Sequence, residues 1–193
     1  MSKPKDVTGV ILAGGEGRRM GGEDKGWVPL QGLPLIQRAI ERLQPQVEHI
    51  VISANRNLAA YEALGYPIYH DNTPYLGPLG GIAACLKRIE TEYALVVPTD
   101  APMVPLNLVE TLCRHRPAKL ILCEDRKRLQ PLFGLYHRSL ATSIDDFLQA
   151  GDRKLTLWCE RQNPTRVTIG DNEAFTNLNT PSELSEFEKN LPK

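Results

Sequence analysis

The stretch that most restricts the fold lies near the start of the chain: Val10-Ile11-Leu12-Ala13-Gly14-Gly15-Glu16-Gly17-Arg18-Arg19-Met20-Gly21-Gly22-Glu23-Asp24-Lys25-Gly26. Three apolar residues run into a turn with glycine at 14, 15 and 17, so a buried strand must break there into a loop. Without Cβ atoms, these glycines let the backbone come close to a ligand and turn its N–H groups inward. Arg18, Arg19 and Lys25 set positive charge beside those donors, and a phosphate chain suits both features. A solvated loop with its charges in water is the alternative, but it leaves the coincidence of breakers and cations behind a strand unexplained.

Two familiar phosphate loops fit this stretch poorly. A Walker loop ends in Gly-Lys-Ser/Thr, whereas Lys25 lies between Asp24 and Gly26. A dinucleotide fingerprint needs its third glycine at position 20, which is Met20, and an acidic residue after the next strand. That strand, Ile50-Val51-Ile52, runs instead into Ser53-Ala54-Asn55.

The rest of the chain alternates strand and helix patterns. Strands are expected at Val47–Ile52, Pro67–Tyr69, Ala94–Val97, Leu120–Cys123, Pro131–Tyr136 and Arg166–Ile169. Helices are expected from Pro34 to Leu43, Asn57 to Leu64, Ile82 to Ile89, Leu106 to Arg114, Leu140 to Leu148, Leu155 to Arg161 and Ser182 to Asn190. Leu76-Gly77-Pro78-Leu79-Gly80-Gly81 reads as a second glycine-rich turn. Alternation of this kind implies an α/β domain with a mostly parallel central sheet flanked by helices, with an antiparallel member expected near residues 120–136.

In an open α/β sheet, ligands sit beyond the carboxyl ends of the strands. Asn55, Asp71 and Asp100 fall at such ends, as does the glycine loop. Asp100 follows the continuous apolar run Ala94–Val97; its carboxylate suits a hard ion such as Mg²⁺ shared with substrate phosphates, or it caps the turn before Pro102. Asp71 could accept the two adjacent N–H donors of guanine, as a carboxylate accepts two bonds from arginine, or could belong to a surface turn with Asn72.

Length and charge narrow the function classes. The 193 residues suffice for one domain with a sizeable core, and 23 acidic residues balance 23 basic ones. No global field therefore draws nucleic acid or an anionic membrane. No apolar run approaches the roughly 20 residues that cross a bilayer, and the N-terminus shows no secretory signal. Cys85, Cys113, Cys123 and Cys159 are scattered without a Cys-x-x-Cys pair or a nearby His at zinc spacing, so reduced thiols and a cytoplasmic location are expected.

Leu12-x-Gly14-Gly15-x-Gly17-x-Arg19-Met20-Gly21, followed by Asp24-Lys25, resembles the signature loop of sugar-nucleotide-type nucleotidyltransferases, and within them the molybdenum cofactor guanylyltransferases. Pro98-Thr99-Asp100-x-Pro102 resembles that family's metal-binding segment, and Gly77-Pro78-Leu79-Gly80-Gly81 its segment near the base. Gln130–Tyr136, Gly151-Asp152-Arg153-Lys154 and Asn177-Leu178-Asn179-Thr180-Pro181 resemble its pterin-side segments. The likeness runs from about Val7 to Leu184, with the first hundred residues the more specific part.

The resemblance implies a single Rossmann-like domain over residues 1–193, with a nucleotide part at about 7–105 and a pterin-cofactor side at about 106–185. It implies transfer of GMP from GTP to the terminal phosphate of molybdenum-molybdopterin, with Mg²⁺ on Asp100. Lys25, Asp100 and Arg19 would be catalytic. Leu12, Ala13, Gly14, Gly15, Gly17, Lys25, Ser53, Asn55, Asp71, Gly80 and Asp100 would bind GTP, and Gln130, Arg153, Lys154, Asn177 and Asn179 the pterin cofactor. Ser53 stands where relatives often carry Asn, so Ser53 and Asn55 both stay open as the nucleotide contact, as do Arg18 and Arg19 for phosphate. Asn179 or Thr180 could instead cap the final helix. Gly14-Gly15 favours guanine over cytosine, since the cytidylyl relatives typically show Ala-Gly there. The product would pass to molybdoenzymes or cofactor-insertion proteins. The rival readings are another nucleotidyltransferase, making the cytidylyl cofactor or a nucleotide-activated sugar, and a non-catalytic GTP-binding or cofactor-carrier protein.

Overall fold

The computed structural model describes residues 3–14, 24–71, 76–126, 128–170 and 172–190. Its spine is a seven-stranded sheet: β1 (Val7–Leu12), β4 (His49–Ser53), β5 (Ile68–Tyr69), β6 (Tyr93–Pro98), β7 (Leu120–Glu124), β8 (Leu129–His137) and β9 (Thr165–Thr168). A separate two-stranded hairpin pairs β2 (Pro29–Leu30) with β3 (Leu33–Pro34). The sheet order is β5-β4-β1-β6-β8-β7-β9. β1 pairs parallel with β4 and β6, β4 with β5, and β7 with β9, while β8 runs antiparallel to both its neighbours. β8 is thus the expected reversed member.

Successive residues of a strand point to opposite faces, and the central strands use both faces for core. Ile11, Ile52, Leu95 and Val97 face α1 (Leu35–Leu43) and α4 (Leu108–Cys113). Val10, Val51, Ala94 and Val96 face α3 (Pro78–Leu86), α5 (Leu140–Gln149) and α6 (Leu155–Arg161). Helix α1 buries Leu35, Ile36, Ala39, Ile40 and Leu43, one stripe at helical spacing. Two further helices are α2 (Leu58–Glu62) and α7 (Pro181–Asn190). The hairpin and α7 share a small core of Val28, Leu30, Leu35 and Leu178, with Leu184 and Phe187 against it.

Two features depart from the sequence reading. The glycine-rich stretch after Leu76 is not a turn to Gly81: α3 begins at Pro78, with proline in the first helical turn where its missing N–H costs nothing, and Gly80 and Gly81 lie inside it. Those glycines answer to contact rather than to chain reversal. A Cβ on Gly81 would stand 2.5 Å from Ser53 Oγ, and one on Gly80 would stand 2.8 Å from Asp71 Oδ2. The β2–β3 hairpin was not anticipated, because two-residue strands carry no periodicity; its corner is Gln31-Gly32, both at positive φ, as a tight two-residue turn requires.

Candidate active site

The carboxyl ends of β1, β4, β5 and β6 open onto a cleft of about 950 Å³. Its walls include Leu12, Ala13 and Gly14 from the end of β1, Ser53, Asn55 and Arg56 after β4, and Asp71 after β5. Thr99 and Asp100 after β6, Lys25, Asn177 and Asn179 also line it. Parallel pairing brings these distant residues together, since every such strand delivers its end to one edge.

The end of β1 is held from both sides. Ala13 N donates to Ser53 O (2.8 Å), and Thr99 donates through its backbone N (3.1 Å) and its Oγ1 (2.7 Å) to Leu12 O. The backbone leaves the sheet here into Gly14. Gly15, Gly17, Arg18 and Arg19 lie outside the described residues.

Lys25 opens a 3-10 turn, Lys25–Trp27. Its ammonium donates to Asp100 Oδ2 (3.1 Å) and to Asn179 Oδ1 (2.5 Å). Asp100 is further tied to the C-terminal segment, because Leu178 N donates to Asp100 O (2.9 Å). The three side chains therefore form one charged and polar cluster at the cleft wall. Asn179 is placed on Lys25 in this arrangement, and it does not cap α7 with its side chain. That task falls to Thr180 and Glu183: Thr180 Oγ1 accepts from Glu183 N (3.2 Å), and Glu183 Oε2 accepts from the N–H groups of Asn179 (2.7 Å) and Thr180 (3.0 Å).

On the opposite wall, Asn55 and Asp71 grip each other. Asn55 Nδ2 donates to Asp71 Oδ2 (3.0 Å), and Asp71 N donates to Asn55 Oδ1 (3.2 Å). A carboxylate has about four lone-pair sites, so this bond leaves Asp71 free capacity toward the cleft. Ser53 is buried; it faces Gly81 and bonds the Cys85 thiol behind it, which burial pushes up to about 12. Gly80 packs against Asp71 rather than on the cleft surface.

The pterin-side candidates separate. Asn177 and Asn179 line the cleft, and Asn177 Oδ1 is buried without a hydrogen-bond donor among the described residues. Gln130 is buried and its Nε2 donates to Asp125 Oδ2 (2.7 Å), which braces the β7–β8 turn. Neither Gln130, Arg153 nor Lys154 is among the described lining residues. Helices α5 and α6 run out and back, so the link holding Arg153 and Lys154 lies on the same edge of the sheet as the cleft.

A divalent ion would have Asp100 as its protein carboxylate. Among the described residues, no group of three or more His, Cys, Asp or Glu side chains gathers to form a cage. That donor set suits Mg²⁺, which keeps waters and takes most of its oxygens from substrate phosphates. Some wall residues went unnoticed in the sequence. Arg56 adds a second cation and follows directly on Asn55, which was the available signal; Leu132 from β8 and Leu76 carry no polar mark.

Comparison with known proteins agrees with this fold. The profile of the MobA-like NTP transferase domain matches residues 9–165. The chain belongs to the MobA-like NTP transferase family. Among curated relatives, the molybdenum cofactor guanylyltransferase of Bordetella petrii is 44% identical over 190 residues, covering 94% of this chain and 97% of the relative. That of Shewanella woodyi is 41% identical over 192 residues, covering 97% and 98%. The crystal structure of molybdopterin-guanine dinucleotide biosynthesis protein A from Archaeoglobus fulgidus superposes with a TM-score of 0.77 at 25% identity, over 94% of this chain and 97% of that one. In this family member, no helix among the described residues is long and apolar enough to cross a membrane.

Proposed function

We propose that this NTP transferase moves GMP from GTP to the terminal phosphate of molybdenum-molybdopterin, giving the guanine dinucleotide cofactor and pyrophosphate. An oxygen of the acceptor phosphate forms a bond to the α-phosphorus of GTP. The bond from that phosphorus to the bridging oxygen of the β-phosphate breaks, and pyrophosphate leaves with the electron pair. The nucleophile is already anionic near neutral pH, so no general base is needed. What the protein supplies is position and charge compensation.

The observation that carries the reading is the Lys25–Asp100–Asn179 cluster facing the Asn55–Asp71 pair across one cleft. Lys25 offsets charge that builds on the triphosphate during transfer. Backbone N–H groups from Gly14 onward hold the phosphates, since that of Ala13 is spent on Ser53 O, and Arg19 adds charge there. Asp71 accepts the two donors on the edge of guanine, with Asn55 fixing the orientation of its carboxylate. Ser53 supports this wall from behind through Gly81. Asp100 would hold Mg²⁺, which would supply positive charge to offset that of the substrate phosphates.

The pterin cofactor takes the side of the cleft toward residues 106–185, with Asn177 Oδ1 accepting from a pterin N–H. Arg153 and Lys154 meet its anionic tail, and Gln130 keeps the β7–β8 turn in place beside it. Release is to molybdoenzymes or cofactor-insertion proteins in the cytoplasm.

Mixing purified protein with GTP, Mg²⁺ and molybdenum-loaded molybdopterin should release pyrophosphate and form the guanine dinucleotide. CTP in place of GTP should give little of either product. Equal turnover with CTP would reassign the enzyme to the cytidylyl reaction, and no pyrophosphate with any nucleotide would leave a binding protein.

A further inference from the structure

Directly before Lys25 lies a carboxylate that faces away from the cleft. The Asp24 side chain is only 4% exposed. Its Oδ1 accepts from Gly26 N (3.1 Å) and from the Tyr61 hydroxyl (2.7 Å), and its Oδ2 accepts from Asn57 Nδ2 (3.0 Å). Arg56 Nε stands 3.8 Å from the same Oδ2. Every donor except Gly26 comes from α2 or the segment just before it. Tyr61 is fully buried, and its ring lies 5.3 Å from that of Trp27.

We propose that Asp24 is a positioning residue for Lys25, with Tyr61 and Asn57 as the clamp that fixes it. This rests on the catalytic reading of Lys25. Burying a carboxylate is costly unless it is paired, and a well-packed apolar group often serves stability as well or better. What the charged group adds is a fixed geometry. Its three bonds join the residues on both sides of Lys25 to α2, since Asp24 precedes the lysine and Gly26 follows it. Gly26 is part of the device: a Cβ there would stand 2.3 Å from the Tyr61 hydroxyl, so a side chain at this position would push the clamp open. With its backbone held in this way, the lysine starts from a fixed point, and Asp100 and Asn179 lie within its reach. The segment that supplies the clamp also bears Asn55, so one short stretch serves both the base wall and the lysine.

Tyr61→Phe removes the hydroxyl and keeps the ring. The expected result is a kcat for GMP transfer lower by about 10- to 100-fold, the scale of a displaced catalytic group. KM for GTP should change less than kcat, because Asn55 and Asp71 on the base wall keep their contacts and only Lys25 is displaced. Asp24→Asn sets an amide donor against the Asn57 donor and should cost at least as much. Asp24→Asn combined with Asn57→Asp reverses the donor and acceptor of that pair, and aspartate also tolerates the positive φ of position 57. It should regain most of the lost kcat. Wild-type kcat in Tyr61→Phe, or a loss accounted for by the fraction of protein that no longer binds GTP, overturns the clamp. If Tyr61→Phe does not fold, failure of the reciprocal pair to recover kcat over Asp24→Asn does so.

A second readout needs no turnover. Acetic anhydride labelling of the substrate-free protein, read at Lys25 by mass spectrometry, should be faster in Tyr61→Phe than in wild type. Unchanged labelling overturns the clamp. Should wild type make no guanine dinucleotide, the proposed function falls while this labelling comparison still decides the clamp.

Discussion

The two ends of the sheet treat their polar residues differently. At the β5-β4-β1-β6 end, each strand runs parallel to its neighbour, and each delivers its following residue to the cleft: Gly14, Asn55, Asp71 and Asp100 all arrive there. At the β8-β7-β9 end, the reversed β8 breaks that regularity. Gln130, near the start of β8, turns inward to Asp125, and Arg153 and Lys154 come from a helical link rather than a strand. A parallel sheet converts strand order into site geometry, whereas a reversed strand leaves side-chain use to local packing. The half proposed to hold the nucleotide should therefore be intolerant of change, and the half proposed to hold the pterin more forgiving.

Asp100→Ala and Lys25→Ala test the intolerant half most severely. Each should lower GMP transfer by about 10² to 10³-fold, the usual cost of one preorganised group that stabilises transition-state charge. Circular dichroism should stay that of the native fold. Near-wild-type turnover at saturating Mg²⁺ would remove that residue from the mechanism.

Gly81→Ala comes next. Its methyl would meet Ser53 Oγ at 2.5 Å, and overpacking at such a site costs roughly 1–3 kcal/mol. The melting temperature and GTP affinity should fall together; loss of neither would show that the wall yields easily. Asp71→Asn replaces an acceptor with a donor facing the guanine edge, so GTP binding measured calorimetrically should weaken about tenfold, as loss of a charge-assisted bond implies. An unchanged affinity would end the guanine role of Asp71.

On the forgiving side, Arg153→Ala with Lys154→Ala should raise KM for the molybdopterin substrate several-fold, as exposed charges do, and leave KM for GTP alone. A fall in kcat as large as that of Lys25→Ala would erase the contrast between the two halves.

The smallest effect is in acid. The N–H of Asn179, and then that of Thr180, hold the Glu183 carboxyl below its ordinary value of 4.5. A depressed carboxyl stabilises fully above its unfolded value and loses that contribution as pH falls through the folded one. Melting curves below about pH 4.5 should show α7 loosening first, and Glu183→Gln should flatten that dependence.

The parallel half was legible because its signals are local. An apolar run followed by glycine, or by Pro98-Thr99-Asp100, names a strand and its end within a few residues, and the sheet rule does the rest. Lys25 was legible for the same reason. What escaped depended on distance. Asn179 reads as a helix cap or a pterin ligand because its partner Lys25 is 154 residues away. Asp24 passes as one half of an Asp-Lys pair until Tyr61, 37 residues on, closes over it. Gly80 and Gly81 look like a turn in a propensity reading, since glycine disfavours helices, yet tertiary contact with Asp71 and Ser53 overrules propensity.

The strap from Asn177 to Asn179 also sets an order in time. Translation delivers β1, then Lys25, then Asp100, and the amide that completes the lysine's contacts comes near the end. A nascent chain carries Asn55 and Asp71 long before it carries the amide to which Lys25 donates. A late segment thus acts as the latch on a lysine encoded early.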